Sequence, residues 1–169
     1  MKRLIPTLIT AVTLFAAPVC ASAADAPDTE TIEYIRYAKQ ATPAERVLML
    51  DQLVAELNAG YAGFSSESTE SLRISHDYHR GHALVYTYTM KPHLAGEIDN
   101  KRLASPELKK EVRDITWQSL KQLCKPSGGT PSGVTALKAL GLNEIRLVLT
   151  LNNRVLIESS FPFSQCGKR

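Results

Sequence analysis

The run Leu72-Arg73-Ile74-Ser75-His76-Asp77-Tyr78-His79-Arg80-Gly81-His82-Ala83-Leu84-Val85-Tyr86-Thr87-Tyr88-Thr89-Met90 decides the fold. Leu72, Ile74, His76 and Tyr78 fall on alternate positions of its first arm, and Leu84, Tyr86, Tyr88 and Met90 on alternate positions of its second. A period of two puts each set on one face of a strand, and the polar middle joins the strands as a β-hairpin. Loop length then sets the register. A two-residue loop pairs Leu72 and Ile74 with Thr89 and Thr87, which mixes the faces. A three-residue loop, His79-Arg80-Gly81, pairs Leu72 with Tyr88 and Ile74 with Tyr86, and it puts Gly81 at the left-handed position that such loops favour. The three-residue loop is therefore expected.

Towards the N-terminus, Ser65-Ser66-Glu67-Ser68-Thr69-Glu70-Ser71 reads as a polar loop leading into the first strand. Before it, Thr42-Pro43-Ala44-Glu45 opens a helix: Thr42 as N-cap, Pro43 at the first helical position, Glu45 completing a capping box. Val47, Leu50, Leu53, Val54 and Leu57 recur at helical spacing and make one apolar face, with Asn58 and Gly60 as the stop. Ile32, Tyr34 and Ile35 mark a weaker helical turn, and residues 24–30 read as a frayed terminus. The expected organisation is a partly ordered segment over 24–41 and a single α+β domain over 42–169.

Residues 1–23 have the form of a secretory signal peptide. Lys2 and Arg3 supply the positive start, and the apolar stretch from Leu4 to Ala17 is shorter than the roughly 20 residues a membrane span needs. Ala21 and Ala23 sit at −3 and −1 for cleavage before Ala24. Pro18 and Val19 ahead of Cys20 depart from the Leu-and-small-residue pattern that directs lipid attachment. Cleavage removes two of the 20 basic residues and none of the 17 acidic ones, so the net charge falls from +3 to +1. A near-neutral chain with no basic run favours neither nucleic acid nor stable membrane insertion as a partner.

Cleavage also removes Cys20 and leaves Cys124 and Cys166, an even pair in an oxidising compartment, which is the usual setting of a structural disulfide. The bridge would close a loop of about 43 residues, for which chain entropy gives roughly 4 kcal/mol of stabilisation. Redox or metal chemistry is less suited to this pair, because C-x-x-C spacing is lacking.

The C-terminal half continues the α+β pattern. Ser105-Pro106 opens a helix whose buried stripe is Leu108, Val112, Ile115, Ser119, Leu120 and Leu123, with Cys124 at its end. Pro126, Gly128 and Gly129 break it, and a short helix from Gly133 to Leu140 stops at Gly141. Ile145, Leu147, Leu149 and Leu151 then alternate, as do Val155, Ile157 and Phe161, with Ser159 between the last two. Asn152-Asn153 marks the turn. A strict two-residue turn puts the two apolar sets on opposite faces, so a longer loop is expected. The fold class that follows is α+β: an antiparallel sheet of about four strands in two hairpins, helices packed on one face, and one disulfide.

Few residues suggest chemistry. His76, His79 and His82 crowd one hairpin, and imidazole is a common ligand for Zn²⁺ or Cu²⁺. Their spacing matches no established site, and a solvated hairpin end is the plainer reading. There is no G-x-S-x-G elbow and no H-E-x-x-H motif. The pairs Glu107/Glu111 and Glu97/Asp99 lie in segments expected to be solvated, where carboxylates serve as surface charges. Tyr86 and Tyr88 are expected in the core. Trp117 falls off the main stripe of its helix, which makes it either a half-buried flank of the core or a partner contact.

With these elements placed, the chain resembles small exported bacterial proteins of the quorum-sensing-regulated virulence factor family. The resemblance spans roughly 45–166 and rests on a helix ending in Leu57-Asn58, a strand bearing Leu84-Val85-Tyr86-Thr87-Tyr88, a helix ending in Leu123-Cys124, and paired strands ending near Cys166. The longer N-terminal segment and Asn152-Asn153-Arg154 depart from the family pattern. The resemblance implies a non-enzymatic periplasmic or secreted protein and carries over no catalytic residue. The expected function is a protein-interaction module with a protein partner and no cofactor. Two other readings stand beside it: a metal-binding or pH-sensing envelope protein using the His-rich hairpin, and a small hydrolase with dispersed catalytic residues.

Overall fold

The computed structural model describes residues 29–96, 105–127 and 129–167. The proposed leader, Glu97 and Asp99 lie outside them, and nothing is described for the side chains of Leu108, Ile115 and Ser119. The elements run α1 (Thr29–Gln40), α2 (Pro43–Gly60), β1 (Thr69–Asp77), β2 (Ala83–Met90), α3 (Pro106–Leu120), α4 (Gly133–Ala139), β3 (Glu144–Leu151) and β4 (Arg154–Pro162). Short 3₁₀ turns follow β2, α3 and β4.

The four strands form one sheet in sequence order. β1 pairs antiparallel with β2 and β3 with β4, but β2 and β3 run parallel. The sheet is therefore mixed, which corrects the all-antiparallel expectation. Parallel neighbours need a crossover of a dozen residues or more. The segment between Met90 and Glu144, which carries α3 and α4, supplies it. Apolar alternation identifies each strand and its buried side, but it carries no signal for the direction of a partner strand.

The α2 start is as expected. Thr42 N–H donates to Glu45 Oε2 at 2.7 Å, and Glu45 N–H donates back to Thr42 Oγ1 at 3.3 Å. The bonds that Glu45 Oε2 accepts, from Thr42 N–H and from the Thr42 hydroxyl, hold its carboxyl below the usual carboxylate range. α4 begins on Ser132, whose hydroxyl accepts from Thr135 N–H, and stops at Gly141, where φ is +87°. A side chain at Gly141 would also meet the Tyr78 ring at 2.9 Å, so glycine is required for space as well as for backbone.

The weaker helical turn expected around Ile32, Tyr34 and Ile35 is the twelve-residue helix α1, within the segment 24–41. α1 fills most of it, and Ile35, Ala38 and Ala41 are buried. Its apolar signal is short, Ile32 and Ile35 followed by the small Ala38, and it gains stability from packing rather than from a long periodic face. Arg46 of α2 fastens the end of α1, donating from Nε to the Ala38 carbonyl at 3.0 Å and from Nη2 to the Lys39 carbonyl at 3.1 Å. Those carbonyls have no intrahelical partners at a helix C-terminus.

The core joins Ile35, Leu50, Ile74, Leu84, Tyr86, Tyr88, Val112, Leu120, Leu142, Leu147, Leu149, Ile157 and Phe161. Trp117 is half-buried and packs against it, as does the disulfide. Cys124 and Cys166 are bonded with Cα atoms 5.5 Å apart, as the cysteine count predicts. Among the described residues no helix is long and apolar enough to cross a membrane.

Candidate protein-interaction surface

The sheet has two unlike faces. On one, Ile74, Tyr86, Leu147 and Ser159 lie in a row across the four strands, followed by Leu72, Tyr88, Leu149 and Ile157, and all but Ser159 belong to the core or pack on it. On the other, the register lines up Ser75, Val85, Arg146 and Ser160, then Arg73, Thr87, Val148 and Glu158, then Ser71, Thr89, Thr150 and Val155. These residues are half-buried or exposed, and Val85 and Val148 stand outside the core cluster. Val155 is 59% exposed. Apart from Arg73, Arg146 and Glu158, the second face is built of valine and hydroxyl side chains, which present short groups to whatever lies on it.

Arg146 organises the charge on this face. Its guanidinium lies 2.8 Å from Glu144, 3.5 Å from Glu158 and 3.6 Å from Asp77. The Glu144 hydrogen bond is the main reason its already high pKa rises further. Three carboxylates thus share one guanidinium. Gly81 gives the side chain room: a Cβ there would sit 2.5 Å from Arg146 Nη2 and 3.0 Å from Asp77 Oδ2. Gly81 is therefore a contact glycine. The left-handed residue of the first hairpin is His82, at φ +48°, which corrects the expected role of Gly81.

The three hairpin histidines are held by different neighbours. His76 Nε2 lies 3.0 Å from Asp51 Oδ1 of α2, and its Nδ1 is buried with no hydrogen-bond partner among the described residues. His79 is exposed and stands edge-on to Tyr78 at a centroid distance of 5.5 Å. His82 Nδ1 lies 3.1 Å from the Gly141 carbonyl, and its own carbonyl accepts from Asn143 N–H at 2.7 Å. His82 thus pins the hairpin loop to the turn after α4. Among the described residues no group of three His, Cys, Asp or Glu side chains is placed to hold a metal ion.

Tyr86 and Tyr88 are buried on the core side, and burial raises both hydroxyls well above the ordinary tyrosine range. The residue that sequence reading missed is Asn58, taken as a helix stop. It lies in the last turn of α2 and faces the edge of β1. Its Nδ2 donates to the Ile74 carbonyl and its Oδ1 accepts from Ile74 N–H, each at 2.8 Å. One side chain thereby satisfies both outward backbone groups of Ile74 and closes that edge. An amide on the buried side of a helix end was the available signal. No known protein family, no curated protein and no solved structure matches the chain.

Proposed function

We propose that this chain is an exported, non-enzymatic protein-interaction module that binds a protein partner across the sheet face bearing Val85, Thr87, Val148 and Thr150. In this reading the helices gather on the opposite face and leave this one for the partner. The observation that carries it is the contrast between the two faces: one is absorbed into the core, while the other presents a band of short β-branched groups with Val155 exposed. The partner is a protein whose surface brings apolar contacts to that band and a cation to the acidic rim, where Asp77, Glu144 and Glu158 share Arg146. Export is supported by the leader-like residues 1–23 and by the Cys124–Cys166 bond. The resemblance to quorum-sensing-regulated virulence factors points the same way, towards action outside the cytoplasm.

A photo-crosslinking residue placed at Val148, with Gln52 on α2 as the comparison site, tests this in the producing cell. The recovered protein should have the mass of a chain cleaved near Ala24, and a discrete protein adduct should form from position 148 and not from 52. Glu158→Lys should weaken that adduct. Equal labelling from both positions, or none from 148, would overturn the reading.

A further inference from the structure

We infer a second site, independent of the sheet face, that binds a dianionic phosphate group in a pocket between α1, α2 and α4. The pocket, about 310 Å³, is lined by Lys39, Arg46, Thr135, Lys138 and Ala139. That volume lies at the small end of ordinary ligand sites and leaves room for the organic part of a phosphate ester. Three of its five lining residues are cationic and none is acidic. Lys39 and Arg46 are seven residues apart and Lys138 is distant from both, so no basic run marks the site in the sequence.

Two further observations separate this cluster from scattered surface charge. None of Lys39, Arg46 and Lys138 forms an ion pair among the described residues. The carboxylate nearest in sequence, Glu45, is turned away into the capping box on Thr42. Lys39 and Lys138 stand in the last turns of α1 and α4 and Arg46 binds the carbonyls that end α1, and no carboxylate lines the pocket to oppose a bound anion. Arg46 is also fixed in place, because its Nε and Nη2 are committed to the carbonyls that end α1. A guanidinium already held in position loses little freedom when an oxyanion arrives. The two lysines are exposed and flexible, so they close on the ligand rather than shape the pocket. Two or more positive charges favour a dianion such as a phosphate monoester over a single carboxylate.

The same chemistry has two sources, a soluble phosphorylated molecule or the phosphate of a lipid headgroup, and the test separates them. Calorimetry on the processed protein at low ionic strength with inorganic phosphate should show saturable binding of one anion per chain. Chloride at matched ionic strength should give none. Lys39→Ala combined with Lys138→Ala should weaken phosphate at least tenfold, while Arg113→Ala on α3 should leave it unchanged. Both lysines are exposed, so the double variant should melt as the parent does. Co-sedimentation with vesicles containing phosphatidic acid, whose headgroup is a phosphate monoester, against phosphatidylcholine vesicles, forms the second arm. Lysine-dependent vesicle binding assigns a lipid headgroup, and phosphate binding without vesicle binding assigns a soluble ester. Absence of saturable binding in both arms, or equal phosphate affinity in the double variant, would overturn the site.

Discussion

The two hairpins of this sheet solve one geometric problem in opposite ways. Each must place apolar residues from both arms on the same face, and alternation alone fixes only the parity of the connection. The first hairpin meets the condition in its loop: Asp77 pairs with Ala83 across Tyr78–His82, and the ladder continues without interruption through Ile74 and Tyr86 to Leu72 and Tyr88. The second keeps a two-residue turn at Asn152-Asn153, both residues at positive φ (48° and 62°), and corrects parity inside the strand. Leu151 faces Arg154 and Thr150 faces Val155, but Leu149 faces Ile157, so Leu156 is an extra residue. That β-bulge returns Ile157 and Phe161 to the core and leaves Val155 on the open face. A run of alternating residues therefore shows that a correction is needed, without showing whether the loop or the strand supplies it.

The largest effect should come from disturbing parity beyond the bulge. Deleting Ser159 shifts everything after it by one place and turns Phe161 and Phe163, both buried, away from the core. Exposing them costs about 3–6 kcal/mol at roughly 1.5–3 kcal/mol each, enough to remove all or most of the stability of a domain near the low end of the ~5–15 kcal/mol range. Loss of the cooperative transition in urea is the expected outcome. A variant melting within about 1 kcal/mol of the parent would mean that the strand re-registers freely.

The hairpins also differ in how they are fastened. The second is tied covalently through Cys166, just past β4, to Cys124 at the end of the α3 region. Replacing both cysteines with serine should lower stability by about 4 kcal/mol on the chain-entropy account, read as a shift in denaturation midpoint against the oxidised parent. The first is fastened by side chains of α2: Asn58 on the Ile74 backbone and Asp51 beside His76. Asn58→Ala leaves one backbone donor and one acceptor without partners and should cost about 1–3 kcal/mol. Amide hydrogen exchange should then quicken at Ile74 and not along β4. Uniform acceleration over the whole sheet would show instead that the two hairpins open as one unit.

Much of this architecture is legible in the sequence. Thr42 and Glu45, the register of Leu72 with Tyr88, the short helix ended by Gly141 and the Cys124–Cys166 bond all follow from local rules, because each depends on residues whose spacing or chemistry has few alternatives. The parallel pairing of β2 with β3 does not, since it is a property of how the α3–α4 crossover packs. α1 is under-read because its buried side is mostly alanine and isoleucine over few turns. The open sheet face is visible in the sequence only as the leftover half of each alternating strand, Val85-x-Thr87-x-Thr89 and Arg146-x-Val148-x-Thr150. The cationic pocket escapes sequence reading altogether, because Lys39, Arg46 and Lys138 meet only after α1, α2 and α4 have packed.

The smallest expected effect is the sharpest test of the comparison. Deleting Leu156 takes away the bulge itself, and pairing can then run from Arg154 and Val155 directly to Ile157 with every later residue keeping its present partner. Ile157, Ser159 and Phe161 stay on the core side, so the loss is confined to the half-buried Leu156 side chain, about 1–2 kcal/mol, and to some of the local twist that the bulge adds. The folded sheet should survive, with cross-strand contacts between Leu149 and Ile157 unchanged by nuclear Overhauser measurements. Two deletions three positions apart in one strand would then differ by several kcal/mol, although both remove one residue from β4. If removing Leu156 were as damaging as removing Ser159, the bulge would be needed for curvature or for seating Cys166, and parity would not be what separates the second hairpin from the first.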